Sequence, residues 1–381
     1  MRVAFVPAAR LLSDRAANGE ALIAAALLRA LAARGHDVIA YCERAEGSFD
    51  GIDVREISVR GPTVGAGRIA FARRIARDCA TQNLDVVHLL FPFTTADGYT
   101  LAGGAPLVVG PVNLPWPQVA SRRGKPAARL AAVVTDSIEA RLHRRTLARA
   151  DRILVTGSSS YEAIPLQVRE RAVEIPFGVD VERFGATPLP HDPVIVFFSV
   201  LSERKGVRVL LEAMPHVLRR IPAARLVIAG DDPTGLRPAL EARARELGVA
   251  VEFIGAVEPA QAPEIYARAR VVCQPSFGEP FGMTVVEAMA SGRPVVATGS
   301  GGIPDAIVDG RGGRLVPRGD ERLLADALAS VLADPLGAEA MGAFNRARAE
   351  RRFALARVAE RIELTYEALA AGRSVEHAHA S

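Results

Sequence analysis

The residues whose types and spacing best suit chemistry lie in the string PSFGEPFGMTVVEAMASGRPVVATGSGGIPD, residues 275–305. Glu279 and Glu287 flank Pro280-Phe281-Gly282, and a helix is expected to start near Thr284, a residue type suited to an N-cap. The backbone N–H groups of Phe281, Gly282, Met283 and Thr284 would then stand free at a helix N-terminus, where amides and dipole stabilise an anion. Glu287, about one turn into that helix, could accept hydrogen bonds from ribose hydroxyls. Glu279, on the loop, could do the same for a bound sugar, because both carboxylate oxygens accept. Two glutamates at this spacing fit an ordinary amphipathic helix equally well, so spacing alone does not decide.

A second candidate is Lys205, in the Gly-flanked loop Ser202-Glu203-Arg204-Lys205-Gly206. Only Lys125 and Lys205 are lysines in a chain otherwise supplied with arginine. Base composition accounts for that bias, yet an ammonium and a guanidinium hold phosphate differently.

The elements that must position these residues read as two α/β units. At 381 residues the chain fits two domains of ordinary size. Strand signals at 3–6, 37–41, 85–90, 106–110 and 152–156 alternate with helical stretches at about 19–34, 66–80 and 126–149. A second series of strands runs at 194–200, 225–230, 251–255, 271–275 and 294–298, with helices between them and helical periodicity from about 320 to 371. Short Val/Ile/Leu runs separated by helices are the signature of parallel strands covered on both faces. VEIPFGVD (173–180) and TPLPHDP (187–193) interrupt the pattern, and the interdomain linker is expected there. The domains are therefore expected at 1–187 and 188–352, with a helix at about 353–371 packing back on the first and a frayed tail at 372–381. Doubly wound sheets bind ligands outside the carboxyl ends of their strands. Both candidate loops follow strands.

Bulk properties exclude several classes. The net charge is +4, half the residues are apolar, and nothing approaches the roughly twenty apolar residues of a membrane span. Cys42, Cys79 and Cys273 stand apart with no CxxC and no His cluster, so no metal site is expected, and a reducing cytoplasm fits. The start of the chain reads as a first strand rather than a signal peptide. No G-x-G-x-x-G follows the first strand and no G-x-x-x-x-G-K-[ST] occurs, which argues against a nicotinamide dehydrogenase and a P-loop kinase. No nucleic-acid partner is expected.

Taken whole, residues 275–305, with Glu-Pro-Phe-Gly, Glu-Ala-Met-Ala and the Gly299-to-Asp305 loop, closely resemble retaining GT-B glycosyltransferases of family 4. That family contains sucrose-phosphate synthases and mannosyl- and N-acetylglucosaminyltransferases. ARGHDV (33–38), ADRILVTGSSS (150–160), VEIPFGVDVERF (173–184) and SERKG (202–206) are similar to its landmarks, so the resemblance covers about 2–350. It implies a GT-B fold, two doubly wound Rossmann-like domains facing a central cleft. It also implies a hydroxyl acceptor, a nucleoside-diphosphate sugar donor (UDP- or GDP-sugar) and no required cofactor or metal. Lys205 and Glu279 become the catalytic candidates. Gly19, Arg204, Lys205, Phe281, Gly282, Met283 and Glu287 become the donor-binding ones.

The chain departs from the family pattern in two places. The family's Gly-Arg at the end of the first strand of the second domain is Ser199-Val200 here. Either Arg204 replaces the missing guanidinium or Arg204 is simply solvated. The family's Gly-Gly before the first helix is Asn18-Gly19, where Gly19 either lets backbone approach a phosphate or merely starts a helix. On the acceptor side stand His88, Asn113 and Trp116. His88 reads either as an acceptor-side histidine or as a satisfied core histidine, and Trp116 either stacks a sugar or packs a Pro-rich loop. The basic stretch 122–149 (Arg122, Arg123, Lys125, Arg129, Arg141, Arg144, Arg145, Arg149) is either a solvated face or a peripheral contact with anionic membrane. Two other functions stay open: a non-catalytic nucleotide- or sugar-binding partner protein, and a nucleotide-sugar epimerase or phosphorylase of the same architecture.

Overall fold

A computed structural model describes residues 1–7, 11–15, 19–58, 64–91, 104–112 and 141–372. The chain divides into two compact units, Met1–Gly178 together with the segment from Leu355, and Val179–Ala354.

The first unit is built on a seven-stranded parallel sheet. Its strands are β1 (Arg2–Val6), β3 (Asp37–Cys42), β5 (Asp53–Glu56), β6 (Val86–Leu89), β7 (Leu107–Val112), β8 (Arg152–Val155) and β9 (Ala172–Glu174), in the order β5-β3-β1-β6-β7-β8-β9. Two short strands, β2 (Leu11–Ser13) and β4 (Arg44–Glu46), pair beside it. Val3–Val6 of β1 and all of β6 are buried and, His88 apart, apolar on both faces, as strands sandwiched between helix layers must be. The last helix, Leu355–Ala370, packs on Gly19–Ala33. Its Val358, Ala359, Ile362 and Tyr366 are buried, and its Glu363 pairs with Arg34 and lies 3.2 Å from His36.

The second unit carries β10 (Val194–Phe198), β11 (Arg225–Ala229), β12 (Val251–Gly255), β13 (Val271–Gln274), β14 (Val295–Thr298) and β15 (Gly313–Val316), in the order β12-β11-β10-β13-β14-β15. All are parallel. The amphipathic helix Val207–Arg220 buries Leu210, Leu211, Met214 and Val217 in the same apolar core as Ile195, Phe197 and Leu226. The chain winds outward in both directions from β10, so β10 and β13 flank the topological switch point, where ligands bind in such sheets.

The chain crosses between units at Gly178–Val179, inside the first of the two sequence interruptions. The Pro-rich stretch belongs to the second unit. Arg293, fully buried, donates to the carbonyls of Thr187 (2.9 Å) and Pro188 (3.2 Å), and Arg270 donates to Pro190 O at 2.7 Å. These guanidiniums satisfy carbonyls that proline-rich backbone cannot pair in a sheet. The return crossing lies at Ala354–Leu355, beside which Val179 N donates to Phe353 O at 2.7 Å.

Candidate active site

β10 and β13 deliver their following loops to the same place. Leaving β10, Ser199 N donates to Ala229 O (3.0 Å) and Leu201 N to Asp231 O (2.8 Å), so this loop first runs along the end of β11. A single turn, Glu203–Lys205, ends at Gly206, whose φ of +74° is the left-handed region that glycine enters without steric cost. A Cβ at Gly206 would lie 1.9 Å from Pro275 O, so only glycine lets the two loops touch. Phe277 N then donates to Arg204 O (2.9 Å) and Arg204 Nη1 to Gly278 O (2.8 Å), lacing the loops together.

The charged centre sits at this junction. Lys205 Nζ donates to Glu279 Oε2 at 2.6 Å, and both side chains are nearly buried. Ser276 Oγ stands 3.4 Å from the same oxygen and itself accepts from Gln274 Nε2 at 2.7 Å. Thr298 Oγ1 donates to Ser276 O, and Gly302 N donates to Glu279 O at 3.0 Å. Glu279 is therefore held through its side chain by Lys205 and Ser276 and through its backbone by Gly302, a preorganised arrangement.

Beyond it, the helix Met283–Ala290 is capped two residues before the expected Thr284. Gly282 is the N-cap. Its φ of +96° is open to glycine, and its carbonyl accepts from Val285 N (2.9 Å) and Val286 N (3.1 Å). No side chain caps this end. The turn thus presents amides rather than a threonine hydroxyl, the arrangement that holds an anion. Phe281 turns its ring into the core against Phe353, 6.1 Å between centroids, so only its backbone is available there. Met283 is half-buried.

Glu287 is half-buried, and its Oε2 accepts from Tyr266 Oη at 2.7 Å. Burial pushes the carboxyl up to about 7, against the pull of the Tyr266 hydrogen bond and the Arg183 charge. Tyr266 itself is fully buried, with Phe184 and Phe198 around its ring. Neither Tyr266 nor the Ser276–Gln274 pair stands out in the sequence. A single tyrosine on the short helix Ala262–Ala267 makes no spacing pattern with a glutamate twenty-one residues on.

Among the remaining candidates, Asn113 and Trp116 lie outside the described residues, as do Asn18 and residues 122–140 of the basic stretch. Arg141, Arg144, Arg145 and Arg149 are exposed. Gly19 is the exposed first residue of its helix, and a Cβ there would meet nothing within 4 Å. Val200 is 39% exposed, and Arg204 directs one guanidinium nitrogen to Gly278 O rather than outward. His88 corrects the acceptor-side reading. It is fully buried, its Nε2 lies 2.6 Å from Gly110 O, and its Nδ1 bonds Tyr366 Oη. Desolvation pushes it down to about 4. A neutral imidazole with both nitrogens engaged is a core group and has no lone pair left for an acceptor proton.

Two Rossmann-like parallel sheets define the GT-B class of glycosyltransferase fold. The structure aligns with sucrose-phosphate synthase from Thermosynechococcus elongatus at a TM-score of 0.79 and 22% identity, covering 98% of this chain and 100% of that one. It aligns with Anabaena HepE in complex with UDP at 0.75 and 20% identity, covering 97% and 100%. In sequence, residues 17–183 match the model described as Glycosyltransferase Family 4, and residues 192–334 match that described as Glycosyl transferases group 1. A D-inositol 3-phosphate glycosyltransferase from Corynebacterium diphtheriae is 31% identical over 352 residues, 84% of this chain and 78% of that protein. A phosphatidyl-myo-inositol mannosyltransferase from Mycobacterium leprae is 37% identical over 210 residues, 53% of this chain and 55% of that protein. That alignment thus spans about half the mannosyltransferase's length. The chain belongs to glycosyltransferase family 4, the group 1 glycosyltransferases.

Proposed function

We propose that the chain is a retaining hexosyltransferase that moves a hexosyl group from a UDP- or GDP-sugar to a hydroxyl of an inositol-bearing or related small or lipid-linked acceptor. The observation that carries this reading is the 2.6 Å Lys205–Glu279 pair beside the uncapped N-terminus of Met283–Ala290. In this reading the diphosphate lies on the Lys205 ammonium and the amides of Phe281, Gly282 and Met283, and Glu287 accepts from the ribose. Glu279 holds the hexose hydroxyls. Arg204 adds positive charge nearby, standing in for the guanidinium absent at Val200.

Transfer runs on one face of the sugar. The bond from the anomeric carbon to the phosphate oxygen breaks, and the bond to the acceptor oxygen forms on the same side. The acceptor proton passes to the departing phosphate oxygen. Charge grows on the leaving diphosphate, and donors fixed in advance stabilise that charge best. The inositol-bearing acceptors printed in the names of the two relatives support the acceptor class. The exposed arginines at 141, 144, 145 and 149 support peripheral contact with an anionic membrane at the cytoplasmic face. No helix among the described residues is long and apolar enough to cross a membrane.

The test is calorimetric binding of UDP and GDP without added metal, followed by transfer from the matching hexose donors to inositol and inositol phosphates. Binding lost in Lys205→Ala and Glu287→Ala, with product formed by the wild type, supports the reading. A second reading, a non-catalytic nucleotide-binding partner, is favoured by Val200; tight diphosphate binding with no transfer to any acceptor would select it.

A further inference from the structure

Glu287 carries the ribose role in the reading above, yet a half-buried carboxylate on a helix needs something to hold its orientation. Among the described residues one group donates to its side chain, the hydroxyl of Tyr266, at 2.7 Å from Oε2. We infer that Tyr266 is the positioning residue for Glu287: its hydroxyl fixes one carboxylate oxygen and leaves the other for the ribose diol of a nucleoside diphosphate. The inference rests on the donor-site reading.

Three features support it. Tyr266 is fully buried and its ring is wedged between Phe184 and Phe198, at centroid distances of 5.8 and 5.4 Å, so the hydroxyl cannot swing away. A ring of this kind would fill its pocket equally well as phenylalanine, so the hydroxyl is there for a partner. The same hydroxyl lies 3.3 Å from Thr284 O, in the first turn of the helix that offers its amides to the diphosphate. One oxygen atom thus touches both the ribose carboxylate and the anion-binding turn. Tyr266 Oη also serves either protonation state of Glu287. It donates to the carboxylate, or it accepts from the carboxylic acid and turns its own proton toward Thr284 O. The charged group that acts on Glu287 is Arg183, and Tyr266 and Arg183 both favour its ionised form.

The experiment compares wild type, Tyr266→Phe and Glu287→Gln by calorimetric titration with UDP, GDP and their 2′,3′-dideoxy counterparts, which lack the diol, between pH 5.5 and 8.5. Tyr266→Phe is expected to weaken the parent diphosphate about tenfold while changing the dideoxy compound less than twofold. It should also move the acid limb of binding to higher pH, because the lost hydrogen bond favoured the ionised carboxyl. In the Glu287→Gln background the same substitution should add nothing. Equal weakening of both ligands, or of neither, overturns the inference. If the wild type binds neither UDP nor GDP, the donor reading fails. The pair is then decided by the ¹³C titration of the Glu287 carboxyl in the chain alone: a midpoint that rises in Tyr266→Phe supports it, and an unchanged one overturns it.

Discussion

Lys205 Nζ lies 2.6 Å from Glu279 Oε2, a contact made across seventy-four residues of sequence by two loops that leave adjacent strands. Both side chains are nearly buried, 12% and 10% exposed. Coulombic attraction at such a site is strong only because water is largely excluded, and the same exclusion makes either charge costly alone. The pair therefore links the stability of the loops to the chemistry assigned to them.

Removing one member should uncouple these roles. Lys205→Ala leaves Glu279 without its partner and is expected to cost about 3 kcal/mol, lowering Tm by roughly 6–12 °C. It should also lower kcat/KM for transfer by about a hundredfold or more, the usual consequence of losing one fixed donor to a developing anion. Lys205→Ala/Glu279→Gln should recover much of the Tm and none of the activity. Thermal unfolding and initial rates on the three variants check this; full recovery of turnover in the double variant would remove Lys205 from the mechanism.

Gly301 offers a sharper test of how Glu279 is held. Its φ is +59°, and a Cβ there would lie 1.9 Å from Glu279 O. The clash is with backbone, which cannot rotate away. Gly301→Ala should cost about 2 kcal/mol or more in stability and displace Glu279, weakening donor binding. Gly299→Ala, where a Cβ meets nothing within 4 Å, is the matched control and should be near neutral in both measurements.

The pH dependence of the second unit should carry the mark of Glu287. Its carboxyl is raised from 4.5 to about 7 in the folded chain. Between those values the unfolded chain has already released the proton while the folded chain retains it, so stability from this group is present below 4.5 and lost as pH rises through 7. The loss is on the order of 3 kcal/mol. Donor binding, which needs the ionised form, gains over the same range. Glu287→Gln should flatten the stability slope between pH 4.5 and 7, measurable by urea unfolding at stepped pH. A slope identical to wild type would mean that the carboxyl does not titrate there.

The fold was legible in the sequence because both sheets are buried on both faces, so their strands are unbroken Val/Ile/Leu/Phe runs such as VIVFF at 194–198. The donor loops were legible because glycine is forced there, by close backbone contacts at Gly206 and Gly301 and by left-handed backbone at Gly282. What the sequence concealed was contact at a distance. The helix cap moved from Thr284 to Gly282 because a left-handed glycine outweighs a hydroxyl cap. The Tyr266–Glu287 bond leaves no spacing signal, and neither does the capture of Arg204 by Gly278 O. The short edge strands β5, β9 and β15 were equally silent, since three or four residues carry no periodicity. The Pro-rich stretch looked like a linker because its composition is a linker's; two buried or near-buried arginines bind it to the second unit instead.

His88 separates a core role from a chemical one in the first unit. Its two ring nitrogens are taken by Gly110 O and Tyr366 Oη, and Tyr366 belongs to the helix Leu355–Ala370 that returns from the second unit. His88→Ala removes both bonds and leaves a cavity against Phe5, which meets the imidazole edge-on at 5.1 Å. The cost should be about 3 kcal/mol, with kcat per folded molecule unchanged. An acceptor base would show the reverse, a large fall in kcat at wild-type stability. Titration points the same way. His88 is lowered to about 4 from 6.5, so its contribution is complete above 6.5 and lost as pH falls toward 4, and His143 and His36 push in the same direction. The first unit should therefore weaken on acidification over the range in which Glu287 strengthens the second, and His88→Phe should shallow that acid slope. Hydrogen exchange resolved over the two units at pH 5 and pH 7.5 reads both slopes in one experiment, and parallel behaviour of the two units would contradict the assignment of His88 to the core.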